Sequence, residues 1–287
     1  MAADKFTATW ISHSSISDFL KCPRAYYLKN MYKDPKTGHK IQLMSPPLAL
    51  GQAVHEVIES LSILPTELRF NTPLLEKYEK VWTKISGKRG GFTSVDTEHR
   101  YKERGAQMLR RVTNNPGPLA NKAVKLKEKL PSFWLSEDDN IILCGKIDWM
   151  EYITSDDSVH IIDFKTSKSE EDGQSLQLPI YILLASRLQK RPVTKISYWY
   201  LDFSDYLTTK ELPETVTAEQ ELLRIGKQIK LARQLNKLEC KTGGCRHCAE
   251  MERILQGEGE LVGMDETNKD IYILPSAPVS EDDSVIL

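Results

Sequence analysis

No apolar run in this 287-residue chain is long enough to cross a bilayer. The longest, Ile180-Tyr-Ile-Leu-Leu-Ala185, falls far short of the ~20 residues that a spanning helix needs. The opening stretch Met1 to Trp10 has no apolar signal core and no cleavage pattern. Both absences argue against a membrane-bound or secreted protein and for a cytoplasmic one. Cysteine is sparse and odd in number, five in all, which argues against a closed disulfide set. No Gly-x-x-x-x-Gly-Lys-Ser/Thr loop occurs, so the chain carries no ATP-driven motor of that kind. Internal repeats and low-complexity linkers are also missing. Hydrophobic residues make up 40%, with 15 Gly and 14 Pro, a composition that belongs to an ordinary globular protein.

The formal charge of −1 conceals strong segregation. Between Arg69 and Leu130 there are 15 Lys/Arg against 6 Asp/Glu, and between Arg224 and His247 there are 7 against 1. Any single basic residue is best read as part of a solvated face, but the sustained excess suits a surface that meets polyphosphate. From Glu250 onward the sign reverses, with 10 acidic residues against 2 basic. Residues 251–287, including Ser280-Glu-Asp-Asp-Ser284, read as a solvated acidic tail, and residues 1–250 as a single domain.

Hydrophobic periodicity predicts helices first. Ser14 and Ser15 can cap a helix running to about Asn30, and others follow at about 48–64, 74–85 and 97–112. The region of about 48–118 forms a helical lobe. After Pro116-Gly-Pro118 the period changes to that of strands, at 124–135, 141–153 and 159–164. A helix at 175–189, a strand at 195–203 paired with 206–211, and a helix at 217–238 complete the pattern. Helices, then a sheet with a crossover helix, imply an α/β sheet core flanked by helices.

The most informative feature is the pair Ile147-Asp148-Trp149 and Ile162-Asp163-Phe164-Lys165. Thr154-Ser-Asp-Asp157 is a plausible four-residue hairpin loop, and counting back from it sets Asp148 opposite Asp163. Lys165 is two residues beyond Asp163 and so shares its face. Opposed carboxylates repel unless a cation lies between them, and a divalent ion with a nearby ammonium suits phosphodiester hydrolysis. The plain alternative is a pair of exposed strand-end aspartates with a lysine partner. Against it, Val159-His-Ile-Ile162 reads as a strand buried on both faces, where a charged trio is costly without a purpose. Three cysteines within nine residues, Cys240, Cys245 and Cys248, point to metal, either zinc with four thiolates or three and His247, or a cluster. Cys144 packs in the sheet. Trp10, Tyr26, Tyr27, Trp82 and Phe92 are candidate base-stacking platforms.

The string Ser14-Ser-Ile-Ser-Asp-Phe-Leu-Lys-Cys-Pro-Arg-Ala-Tyr-Tyr27 resembles the N-terminal box of RecB-type nucleases of the PD-(D/E)xK superfamily. Gly51…His55, Gly145-Lys-Ile-Asp148, Asp163-Phe-Lys165, Gln177…Tyr181 and the cysteine cluster follow in the same order. The resemblance implies a restriction-endonuclease-like mixed sheet and a Mg²⁺- or Mn²⁺-dependent deoxyribonuclease, acting as an exonuclease on DNA ends or single strands in repair, recombination or CRISPR-type adaptation. It implies that His55, Asp148, Asp163 and the Phe164 carbonyl ligate the metal and that Lys165 assists the attacking water. Gln177 and Tyr181 would support the site, and Glu128 would be a further acidic member. It also implies a [4Fe–4S] cluster on Cys22, Cys240, Cys245 and Cys248, although the C-x4-C-x2-C spacing departs from that of CRISPR-associated relatives and leaves zinc open. DNA and a helicase or CRISPR-adaptation protein are the implied partners. A non-catalytic DNA-binding or scaffold subunit is the competing reading.

Overall fold

A computed structural model of the chain describes residues 4–171 and 173–275. Its centre is a four-stranded sheet of β5 (Trp149–Ile153), β6 (Ser158–Lys165), β7 (Val193–Tyr200) and β8 (Thr208–Lys210), in that order. β6 and β7 run parallel, joined by the crossover helix α6 (Gln177–Leu188), and the outer pairs are antiparallel. Strand alternation gives this sheet two apolar faces. Trp149, Ile162, Phe164 and Trp199 pack against the helical lobe of α3 (Pro46–Glu59), α4 (Leu74–Ile85) and α5 (Val95–Asn114). Met150, Ile161, Ile196, Tyr198 and Tyr200 pack against α6, with α1 (His13–Lys21) and α7 (Thr215–Gln234) joining the same core. Asp163 falls on the α6 face, with Ile161.

A second sheet, β1 (Thr9–Ile11), β4 (Ile141–Cys144) and β3 (Ser132–Ser136), lies beside α6 and α7. The expected strand 141–153 is therefore two strands in two sheets. Gly145 to Asp148 make the crossing, and a Cβ at Gly145 would meet Leu184 Cδ1 at 3.0 Å. The chain's departure from the ladder there frees Asp148. The expected strand 124–135 is also shortened. Val124 and Tyr152 anchor its start to the sheet edge (Val124 N–H to Met150 O, Tyr152 N–H to Lys122 O), after which the lysine-rich stretch to Pro131 runs free of any ladder.

The first helix is capped by Ser12, whose hydroxyl accepts the Ser15 N–H while Ser15 Oγ accepts the Ser12 N–H, the reciprocal cap. It stops at Cys22 rather than reaching Asn30, because Pro23 bars helical backbone at the residue before it and Cys22 is extended at φ −165°. Pro23 then opens α2 (Pro23–Tyr26).

Residues 251–275 are not a tail. They continue α8 (Ala249–Leu255) and form the hairpin β9 (Glu260–Met264) and β10 (Lys269–Ile273), with β10 parallel to β2 (Lys40–Leu43). Ile271 and Ile273 enter the lobe core, and the acidic side chains have partners: Glu252 with Arg24, Glu258 with Arg253, Glu260 with Lys88. Ser280 to Ser284 lie outside the described residues. Among the described residues no helix is long and apolar enough to cross a membrane.

Candidate active site

The β5–β6 register pairs Ile153 with Ser158 and Trp149 with Ile162, as the hairpin count required, and the ladder ends there, so Asp148 meets β6 through its side chain. Asp148 Oδ2 accepts the Phe164 backbone N–H at 3.0 Å and lies 3.4 Å from His55 Nδ1. His55, from α3, is also 3.8 Å from Glu59 Oε1, one helical turn on. Ligand atoms of His55, Glu59 and Asp148 all lie within 4.8 Å of one another. Lys146 closes this group by an ion pair to Glu59.

Asp163 is 1% exposed. Its Oδ1 accepts the Gln177 side-chain N–H at 2.7 Å, while Oδ2 stands 3.0 Å from Lys165 Nζ without hydrogen-bond alignment. Lys165 donates to Gln177 Oε1, sits 3.1 Å from Glu171 and lies over the Tyr198 ring at 5.0 Å. Gln177 thus presents its carbonyl to the ammonium and its amide to the carboxylate, and also reaches the Tyr181 hydroxyl at 3.0 Å. The first turn of α6 holds both groups because Gln177 and Tyr181 are four apart on one face.

Burial and the adjacent Asp148 raise the Asp163 carboxyl to about 7, against the pull of Lys165 and His55. Burial would lower the His55 imidazole, but Asp148, Glu59 and Asp163 outweigh it and raise it to about 10. For Lys165, burial acts downward and is overcome by Asp163 and Glu171, so it stays charged. A cluster in which a carboxyl and an imidazole both retain protons is one that a cation would discharge. The carboxylate oxygens of Glu59 and Asp148 and the His55 imidazole could hold a divalent ion of Mg²⁺ or Mn²⁺ type, whereas Asp163, also expected as a ligand, lies outside that close group with its Oδ2 beside Lys165.

Glu128 is exposed on the wall of a groove of about 620 Å³ that Glu59, Lys125, Lys129, Lys146 and Asp148 also line, and it is not part of the close His55–Glu59–Asp148 group. Glu59 and Glu171 are the residues that sequence reasoning missed. The spacing His55-x-x-x-Glu59 on one helix was the available signal for the first, whereas Glu171 arrives through a loop and carried none. Of the candidate stacking aromatics, Tyr26, Trp82 and Phe92 are core residues, and Tyr27 lies under the Arg24 guanidinium. Much of the basic excess is locally paired, as in Lys80–Glu76, Lys84–Glu56, Lys102–Glu79, Arg104–Asp202 and Arg110–Glu103.

A second group unites Cys22, Cys240, Cys245 and Cys248, whose sulfurs all lie within 4.8 Å of one another; His247 is not part of it. Burial pushes the Cys248 thiol up to about 12, whereas the Thr242 hydroxyl and amide lower Cys240 to about 6. Cys144 is apart, buried in β4 with its thiol toward Ile11 O.

Paired carboxylates with an ammonium at the end of a buried strand, beside side chains that could hold a cation, are an arrangement suited to metal-assisted hydrolysis. The PD-(D/E)XK nuclease superfamily matches residues 10–253, and the chain belongs to it. No curated protein matches the chain.

Proposed function

We propose that the protein is a Mg²⁺- or Mn²⁺-dependent deoxyribonuclease of the RecB type, acting as an exonuclease on DNA ends or single strands. The observation that carries this reading is the Asp163–Gln177–Lys165 triad facing Asp148. Asp148, Asp163, His55 and Glu59 would hold the ion, with the Phe164 carbonyl as a further donor. When bound, the ion supplies an acidified water and a polarised phosphoryl group. Lys165, kept charged and held by Asp163, Glu171 and Gln177, stabilises the negative charge that develops on the phosphoryl oxygens. Tyr181 buttresses Gln177 and so the alignment of both groups.

The DNA backbone would follow the lysine-rich segment from Lys122 to Lys129, which leaves the sheet directly beside Asp148. Phosphate contacts from these side chains make binding fall steeply with salt. The nuclease would act on DNA opened by a helicase or adaptation partner.

The test is cleavage of end-labelled single- and double-stranded DNA in Mg²⁺ or Mn²⁺, with and without chelator, by wild type, Asp163→Ala and Lys165→Ala. Metal-dependent shortening from the ends by wild type alone supports the proposal. Equal inertness of all three proteins in both metals refutes it and leaves a DNA-binding scaffold.

A further inference from the structure

The geometry points to one tetrahedral zinc ion on Cys22, Cys240, Cys245 and Cys248, in place of the iron–sulfur cluster that the family resemblance implies. Zinc–thiolate bonds of ~2.3 Å put tetrahedrally arranged sulfurs ~3.8 Å apart. Cys245 and Cys248 are 3.7 Å apart, and no pair in the set exceeds 4.8 Å. Thiolates on a four-iron cluster each bind a different iron at the corners of a metal–sulfide cube, so they must stand wider than thiolates sharing one ion. Closing this set on a single ion requires only small movements, whereas a cluster would have to force all four sulfurs outward.

The local backbone supports the same reading. Gly243 and Gly244, at φ 71° and 159°, fold the chain between Cys240 and Cys245 so that both sulfurs turn to one point. The Cys245 N–H lies 3.4 Å from Cys248 Sγ, and the Cys248 and Ala249 N–H groups both go to Cys245 O, which holds the two sulfurs on one turn. Cys22 and Cys248 are buried among Ala25, Leu28, Met251 and Ile254, while Cys240 and Cys245 are half-buried.

The ion would have a structural role. This third core is small and consists of the α1–α2 junction, β2 and α8, which come from opposite ends of the chain. The bidentate Arg24–Glu252 pair is a polar tie between α2 and α8. A core of this size depends on a staple, and zinc ligation contributes directly to folding. Through α8 the staple also fixes the β9–β10 hairpin, which sends Ile271 and Ile273 into the lobe core.

The experiment is metal and acid-labile sulfide analysis, with an absorbance spectrum, of the full chain purified without oxygen from cells supplied with both iron and zinc. The expected result is about one zinc per chain, no sulfide and no colour, with zinc lost in Cys22→Ser and retained in Cys144→Ser. Iron with sulfide and a broad band near ~400 nm, or a chain containing neither metal, overturns the inference. Should Cys22→Ser fail to fold, the composition of the wild-type protein still decides. None of these readings depends on nuclease activity, so the zinc and nuclease proposals can fail separately.

Discussion

Glu59→Gln tests the ligand that structure added to the candidate site. The substitution keeps the shape of the side chain and removes one negative charge from a carboxylate 3.8 Å from His55 and paired with Lys146. A unit charge ~4 Å from another is worth ~4 kcal/mol at an effective dielectric of 20, and more against a divalent ion. Most of that gross attraction is offset, because binding strips water from the carboxylate and draws it away from Lys146. Losses of ten- to a hundredfold in affinity are typical even for groups that only orient a metal ligand, which is ~1.4–2.7 kcal/mol. The expected outcome is a rise of that size in the Mn²⁺ dissociation constant by calorimetry. The metal concentration for half-maximal DNA cleavage should rise in parallel, with the rate largely restored at saturating metal. Glu128→Gln, in the same groove but outside the close ligand group, should leave the Mn²⁺ dissociation constant nearly unchanged. An unaltered metal requirement in Glu59→Gln would refute the reasoning.

Asp163→Ala and Lys165→Ala should each lower the cleavage rate by ~10²–10⁴ at saturating metal in a single-turnover assay, since both groups act on the reacting centre. Metal affinity should climb with pH, because the ion must displace protons from Asp163, held to about 7, and from His55, held to about 10. Both pKa values are raised, so protonation competes from the acid side: calorimetry should show ~100-fold per pH unit below 7 and ~10-fold between 7 and 10. His55→Ala should remove one factor of ten from each slope. Gly105→Ala should lower the melting temperature by several degrees. Its Cβ would come within 2.1 Å of Tyr78 Oη and 2.8 Å of Leu50 Cδ1, an overpacking cost of ~1–3 kcal/mol that exceeds the ~1 kcal/mol gain in helix propensity.

The carboxylate hairpin was legible because its determinants are local. A four-residue loop with Asp157 at φ 48° fixes the register, and the apolar run through Ile162 leaves β6 no alternative face. The helix at 74–85 was likewise written in its own periodicity. What escaped was decided by distant partners. A stretch as acidic as 250–270 reads as solvated until Arg24 and Lys88, from the other end of the chain, supply its counter-charges. The buried Asp270, held by Thr37 and His39, is an extreme case. The break at Cys22 did have a local cause in Pro23, but the helical pattern on either side of it masked the stop. Glu59 had the right helical spacing from His55, yet only the crossing of α3 over the end of β5 turns that spacing into a ligand set.

The charges at the site explain how such a cluster can exist before any ion binds. Glu59, Asp148, Asp163 and Glu171 converge on Lys165, Lys146 and His55, and proton uptake by Asp163, raised to about 7, and His55, raised to about 10, offsets part of the remaining negative charge. Two protons carry the charge of one divalent cation. Exchange of the one for the other leaves the buried charge unchanged, so the scaffold need not rearrange to accept metal. The four-thiol centre has no such substitute. Without the proposed ion its sulfurs would have no mutual attraction, and the small core around them would rest on its apolar contacts and the Arg24–Glu252 pair. On these readings the proposed catalytic centre can balance its charge with protons, whereas the proposed zinc centre would depend on its metal.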